Sequence, residues 1–207
     1  MLNTAKENLK KLVDKFQKEI EAGRLKDYNE EAAKISFIQP FLKDVLGWDV
    51  QNINEVSPEE KTSKGRVDYG LKVEGKIKIF VEAKPPKADL NKYVDQAIKY
   101  GYNKKDVPFV LLTDFEDLKL FDVTIKPDKK NPFKGLKIDL NWQNYLKEFD
   151  KLWLLSKESV INGKLEKLLL LKPKDRVPVD KAILEDLKRW REALAKNIFK
   201  NNQKLFN

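Results

Sequence analysis

Asp68 sits within one apolar run, and Glu82-Ala83-Lys84 closes the next; these residues are the best equipped for chemistry in the chain. Two carboxylates can hold a hard divalent cation, and a lysine beside them can orient a water or stabilise charge building on a phosphate. Groups of this kind hydrolyse phosphodiesters. The chain has no histidine and no cysteine. Thiolate nucleophiles, Ser-His-Asp triads and Cys/His zinc sites are thereby excluded. A catalytic metal would have oxygen ligands only, which suits Mg²⁺ or Mn²⁺.

Two alternating runs must position these groups. Val67, Tyr69, Leu71 and Val73 share a face of the first, and Ile77, Ile79, Val81 and Ala83 share a face of the second. Both sets carry odd numbers and must face one core, so paired residues must agree in parity. A two-residue turn at Glu74-Gly75 would pair Val73 with Lys76 and violate that rule. An odd-length loop is therefore expected, with Gly75 at a left-handed bulge position. Asp68, Glu82 and Lys84 then share the opposite face, with Arg66, Lys76 and Lys78 available to phosphates. Read from the residues alone, that face is either a metal site or a solvated charged surface. Glu-x-Lys also occurs at Glu59/Lys61 and Glu74/Lys76, but only Glu82/Lys84 ends an apolar strand with an aspartate across from it.

The flanking pattern predicts an α/β fold. Leu9, Leu12, Val13, Phe16 and Ile20 recur at helical spacing, with Gly23 as a cap. Asn29 is suited to cap a second helix that Pro40 should kink or break and Gly47 should end. Residues 48–56 read as a short extended segment and 57–65 as a polar loop. A helix is expected over 89–100 with Gly101 as its cap, then strands at 109–113 and 118–122, and a basic loop over 126–134. Helices are expected over 142–155, 157–162, 164–171 and 180–199. Trp48 and Trp153 read as core residues, and Leu168 to Leu171 as buried helix. The lysines of the basic loop read as a solvated surface.

The 207 residues suffice for one domain, or one domain with an appendage, and 41% of them are hydrophobic, enough for a substantial core. The net charge of +9 suits a polyanionic partner, although lysine-rich composition also has bland causes. The N-terminus has no signal-peptide core and no run long enough to span a membrane, so a cytoplasmic location is expected.

Beyond these residues, Asn29-Glu30-Glu31, Phe37-Ile-Gln-Pro-Phe-Leu42 and Val45-Leu-Gly-Trp-Asp49 resemble the N-terminal helix of a nuclease family. Arg66-Val-Asp68-Tyr69 and Phe80-Val-Glu82-Ala-Lys84 resemble its PD-(D/E)xK motif. Gln96-Ala97 with Tyr100 resembles its Gln-x-x-x-Tyr helix. The family is the nuclease domain of type I restriction subunits and fused type IIG restriction-modification enzymes, and the resemblance covers nearly the whole chain. It implies a restriction-endonuclease-like core, a central mixed sheet flanked by helices, with a helical C-terminal segment. It further implies a Mg²⁺-dependent DNA endonuclease in which Asp68 and Glu82 ligate metal and Lys84 is catalytic. Glu30, or Glu31 beside it, would be the helix glutamate of the site. Gln96, Tyr100 and Lys34 would brace the site or contact DNA.

Val67 replaces the usual proline, and Ala33-Lys34 stands where Thr-Arg is common, which keeps the charge but loses a bidentate phosphate contact. Neither a Walker A loop nor an Asn-Pro-Pro-Tyr motif is present. The expectation is a nuclease core over 1–140 and a helical connector over 141–207. The connector would lead to a methyltransferase or specificity domain, in cis or in trans. Double-stranded DNA is the expected partner, with transient dimerisation for double-strand cleavage. Two alternatives are a non-catalytic nucleic-acid-binding module and a subunit-docking domain on the same scaffold.

Overall fold

A computed structural model describes residues 2–62, 65–104, 106–169 and 179–201. Six strands form one mixed sheet in the order β1-β2-β3-β4-β5-β6, with β1 Val56–Thr62, β2 Gly65–Val73, β3 Lys76–Ala83, β4 Phe109–Thr113, β5 Asp117–Asp122 and β6 Leu136–Asn141. Only β3 and β4 pair in parallel; the other neighbours are antiparallel. The crossover between β3 and β4 carries α3, Val94–Tyr102. Helices flank the sheet, as expected, and α6, Val179–Asn201, ends the described chain.

The larger core lies on one face. Helix α1, Leu2–Glu21, presents Leu9, Leu12, Val13 and Phe16 to it, and Gly23 adopts φ 67° just beyond the helix. Asn29 caps α2, Glu30–Ala33, by accepting from the Ala32 N–H. The helix does not break at Pro40. It continues instead as two wide π-helical turns, Lys34–Ile38 and Phe41–Val45. Pro40 has no N–H to offer the Ser36 carbonyl, and that carbonyl instead accepts from Lys15 Nζ of α1 at 2.9 Å. Phe37, Phe41, Leu42 and Val45 remain buried along the helix. Trp48 is fully buried and donates through Nε1 to the Leu155 carbonyl at 3.0 Å.

The opposite face carries a second core of Val67, Phe80, Val94, Ala97, Val110, Leu112 and Phe121 beneath α3. The sheet is therefore covered on both sides, and β4 is buried at every residue. Gly101 does not cap α3 but lies inside it. A Cβ there would stand 2.4 Å from Val110 Cγ2 and 2.7 Å from Val123 Cγ2, so glycine lets the helix lie close against the sheet.

Several elements differ from expectation. Residues 48–55 of the expected extended segment form turns, and 57–62 of the expected polar loop join Val56 in the edge strand β1. An edge strand exposes one side of its backbone, so polar side chains and Pro58 are tolerated there. Strand β6 stands where only a loop was expected; its Ile138 and Leu140 are buried while Asp139 is exposed. The expected helix over 142–155 is a short 3₁₀ turn at Trp142–Asn144 followed by α4, Phe149–Trp153. Helix α5, Lys157–Ile161, matches expectation, and the next is a 3₁₀ turn at Leu165–Leu168, with Leu168 partly buried and Leu170 and Leu171 outside the described residues. Tyr145, Phe149, Leu152, Leu155, Val160 and Leu165 belong to the larger core, so packing continues past residue 140. Trp153 is partly buried and stacks on Phe149. Helix α6 exposes Ile183, Leu184, Leu187, Trp190 and Leu194, and its Asp186 pairs with Lys126 of the basic loop.

Gly101→Ala should destabilise the fold by roughly 1–3 kcal/mol, because overpacking outweighs the helix-propensity gain of about 1 kcal/mol. Urea denaturation of the two proteins measures the difference, and a more stable variant would contradict the close packing.

Candidate functional site

Hairpin geometry sets the site. The turn between β2 and β3 is the tight two-residue type, with Glu74 at φ 51° and Gly75 at φ 73°, and Val73 pairs with Lys76. The expected odd-length loop is absent. Parity is restored within the strands: Lys72 pairs with Ile77 but Leu71 with Ile79, leaving Lys78 as the extra residue of a bulge. From there Gly70 pairs with Phe80 and Tyr69 with Val81. The even-number relation demanded by burial is met, by a different device.

The β2–β3 ladder ends at Tyr69 and Val81, while β3 stays paired to β4 as far as Ala83 and Thr113. Where the ladder stops, Asp68 Oδ2 accepts the Ala83 backbone N–H at 2.8 Å. The carboxylate thus replaces a backbone acceptor. On the other side β1 pairs Pro58 with Tyr69 and Glu60 with Val67, while Glu59 between them has φ 47°. Val67 then faces the second core and Tyr69 the first, so β2 changes faces across Asp68. The expectation that Val67, Tyr69 and Leu71 share a face is corrected here: the strand twists at the aspartate.

Glu82 and Lys84 meet Asp68 at this point. Glu82 is 4% exposed; its Oε1 accepts from Lys84 Nζ at 2.8 Å, and its buried Oε2 has no hydrogen-bond partner. Lys84 also lies 3.5 Å from Glu30 Oε2 of α2, and its backbone N–H donates to the Thr113 carbonyl at 2.9 Å. Lys34 enters from the first π-helical turn. Its Nζ forms a short ion pair with Asp68 Oδ1 and lies 2.8 Å from Glu31 and 3.3 Å from Glu30. Glu30, Lys34, Asp68, Glu82 and Lys84 therefore form one connected cluster of acids and bases.

Burial pushes the Glu82 carboxyl up from its ordinary value; the Lys84 ammonium opposes that, and the Asp68 and Glu30 charges add to it. Burial works against the Lys84 ammonium, but Glu82, then Glu30 and Asp68, outweigh it and its pKa is raised. The same balance holds at Lys34, where Asp68 and Glu31 outweigh burial and the pKa is raised. Both lysines are charged cations in the neutral range.

Other residues singled out in the sequence lie elsewhere. Arg66 pairs with Glu59 at 2.6 Å on the surface, and Lys78, the bulge residue, pairs with Glu166 at 3.2 Å. Gln96 Nε2 and the Tyr100 hydroxyl are 2.6 Å apart, and a Cβ at Gly65 would lie 3.0 Å from that hydroxyl. This pair braces the start of β2. The aromatic against Lys84 is Tyr93, with Nζ 5.1 Å from the ring centroid. Tyr93 is one helical turn before Gln96, a spacing that could have marked it. Glu59-Glu60-Lys61 lies on β1 rather than in a loop, and Glu60 there pairs with Ser57 and Lys104, away from the cluster.

One acid at the β4–β5 turn, Asp114, carries no signal in the sequence pattern. Asp114 is 1% exposed and accepts the Asp117 N–H at 2.8 Å, which fixes the turn next to Thr113. Burial, then the charges of Asp117 and Glu116, push its carboxyl up to about 7.

Among the described residues no three acids converge tightly enough to hold a metal by themselves. The donor set nevertheless fits a hard cation that keeps several waters. Asp68 and Glu82 supply carboxylates from adjacent strands, and the partnerless Glu82 Oε2 is a buried acceptor. Among the described residues no helix is long and apolar enough to cross a membrane.

Asp114 offers a pH test. With its folded pKa raised, the wild-type protein suffers no penalty below the unfolded value near 3.8, loses stability as pH rises toward 7, and reaches a plateau above. Asp114→Asn keeps the turn acceptor and removes that loss, so its advantage over wild type should grow between pH 4 and 7. At pH 8 it should reach on the order of 1–4 kcal/mol. A flat difference across pH, read by denaturant melts, would contradict the assignment.

Comparison with known proteins adds lineage to this geometry. A curated Escherichia coli protein, the type II restriction enzyme and methyltransferase RM.Eco57I, is 28% identical over 216 residues, covering 92% of this chain and 21% of that protein. The solved structure of the type IIG restriction endonuclease BpuSI matches 62% of this chain and 17% of its own at 20% identity, with a TM-score of 0.43. The chain thus spans about a fifth of the length of these relatives. The family model described as "MmeI, N-terminal domain" matches residues 11–197, and the chain belongs to that family.

Proposed function

We propose that this chain is the Mg²⁺-dependent DNA endonuclease domain of a restriction-modification enzyme, hydrolysing phosphodiesters. The observation that carries this reading is the meeting of Asp68, Glu82 and Lys84 where β2 and β3 part, with Glu82 Oε2 left as a buried acceptor. Relatedness to a restriction enzyme and methyltransferase supports it.

Asp68 and Glu82 would hold Mg²⁺, or Mn²⁺ in its place. The bound ion would acidify a water and offset charge on the phosphate oxygens. Asp68 is fixed at Oδ2 by the Ala83 N–H, so Oδ1, which carries the Lys34 ammonium, is aimed without further ordering. Lys84 is held charged by Glu82 and Glu30 and steadied by the Tyr93 ring, so it can orient a water or stabilise the phosphorane rather than accept a proton. Glu30 steadies Lys84 and Lys34 from the helix side. Double-stranded DNA would be the substrate. Sequence recognition and methylation would belong to other parts of a larger enzyme, with α6, beyond the packed residues 141–169, as the connector, and two copies would have to meet transiently to cut both strands.

With Mn²⁺ or Mg²⁺ the chain should nick supercoiled plasmid slowly. Lys84→Ala should reduce nicking at least about 100-fold, the usual scale for removing one group that stabilises the transition state. Calorimetry should show that Lys84→Ala retains metal binding and Asp68→Asn loses it. Undiminished nicking by Lys84→Ala, or metal binding indifferent to Asp68→Asn, would refute the proposal. The alternative, a non-catalytic nucleic-acid-binding module, is favoured by the two lysines seated on the carboxylates. It predicts salt-dependent duplex binding with no metal requirement.

A further inference from the structure

We propose that Lys34 is a tethered cation that neutralises Asp68 in the metal-free protein and must leave it for a divalent cation to bind. The proposal rests on the metal-dependent reading above and adds a displacement step inside the chain.

Asp68 has two oxygens, and both are engaged. Oδ2 accepts the Ala83 N–H, a contact that belongs to the strand geometry. Oδ1 is taken by the Lys34 ammonium. An ammonium and a hard divalent cation compete for the same carboxylate lone pairs, and two cations packed together on one carboxylate repel. The contested atom is therefore Asp68 Oδ1. On the other strand, Glu82 keeps Oε2 without a protein partner, while Lys84 holds only its Oε1. Lys34 is thus the one lysine of the cluster whose seat coincides with a metal-facing oxygen; Lys84 leaves an oxygen of its glutamate open.

The chain also provides an alternative seat for Lys34. Its Nζ already touches Glu31, whose side chain is 73% exposed, and Glu30, at 38%. Lysine carries its charge on a flexible unbranched stem, so the ammonium can swing from Asp68 toward the two helix glutamates without backbone movement. The position at the start of a π-helical turn fixes where the stem begins. Four carboxylates, Glu30, Glu31, Asp68 and Glu82, face two ammoniums, Lys34 and Lys84, which leaves two negative charges, the complement of one divalent ion. Displacement of Lys34 toward Glu31 lets all three cations be accommodated.

The test uses the wild-type chain first. With ¹⁵N-labelled lysine, the Lys34 ammonium should give a protected NMR signal without metal, assigned by its loss in Lys34→Met. Addition of Mg²⁺ should shift or broaden that signal, and a signal unchanged at saturating Mg²⁺ would overturn the proposal. Calorimetry of Lys34→Met provides the second measurement. Removal of one charge-assisted competitor should tighten Mg²⁺ binding about tenfold or more. The variant should melt at a lower temperature than wild type without metal and regain that loss when Mg²⁺ is added. Equal or weaker Mg²⁺ affinity in Lys34→Met, with the wild type binding, overturns this proposal alone. No Mg²⁺ or Mn²⁺ binding by either protein overturns both it and the reading beneath it.

Discussion

The hydrogen bond from the Ala83 N–H to Asp68 Oδ2 is the hinge on which the site depends. A buried backbone donor must have a partner. Up to Tyr69 and Val81 the strand ladder supplies partners, and beyond it an aspartate side chain does. Because a carboxylate takes the donor, β2 is free to part from β3 while β3 stays locked to β4 through Ala83 and Thr113. The wedge that results admits Lys34 from one side and keeps Glu82 and Lys84 on the other. An apolar side chain at position 68 would orphan the Ala83 N–H, at a cost of about 1–3 kcal/mol, as well as remove the charge.

Charge balance follows from that wedge. Glu82 is nearly inaccessible and lies near two other carboxylates, an arrangement that would be untenable without cations. Lys84 and Lys34 supply them, one along the same strand and one from the helix. Buried ion pairs of this kind add little net stability, whereas removing one partner costs about 3–5 kcal/mol. On the proposed reading, their presence serves the chemistry rather than the folding. The two faces of the sheet share the load: the larger core anchors the helix that carries Glu30 and Lys34, and the 3₁₀ turn leading into α3 carries Tyr93 to Lys84.

Much of this was legible in the sequence, because burial imposes periodicity. The alternation in β2 and β3 predicts one face for Asp68, Glu82 and Lys84, and Asn29 marks the helix cap. Parity predicts the right register but the wrong device: the turn is tight, and a bulge at Lys78 absorbs the mismatch. Turn and bulge compensate each other, so the hydrophobic pattern alone cannot distinguish them. Strand β1 was invisible because an edge strand carries no alternating apolar code, and β6 because its Leu136, Ile138 and Leu140 follow a loop-like stretch rich in lysine and proline. Gly101 resembles a helix cap in sequence because glycine also serves close packing inside a helix. Lys34 lies far from the motif in sequence and Tyr93 outside it; the tertiary fold shows which charge each one meets.

The central claim is that Asp68 and Glu82 share a divalent cation once Lys34 has moved aside. The most direct test is a crystal of this chain soaked in Mn²⁺ and measured for anomalous scattering. The account predicts an anomalous peak between the Asp68 and Glu82 carboxylates, with the Lys34 ammonium turned toward Glu31. A crystal without a peak at that position, with Lys34 still seated on Asp68, would contradict it.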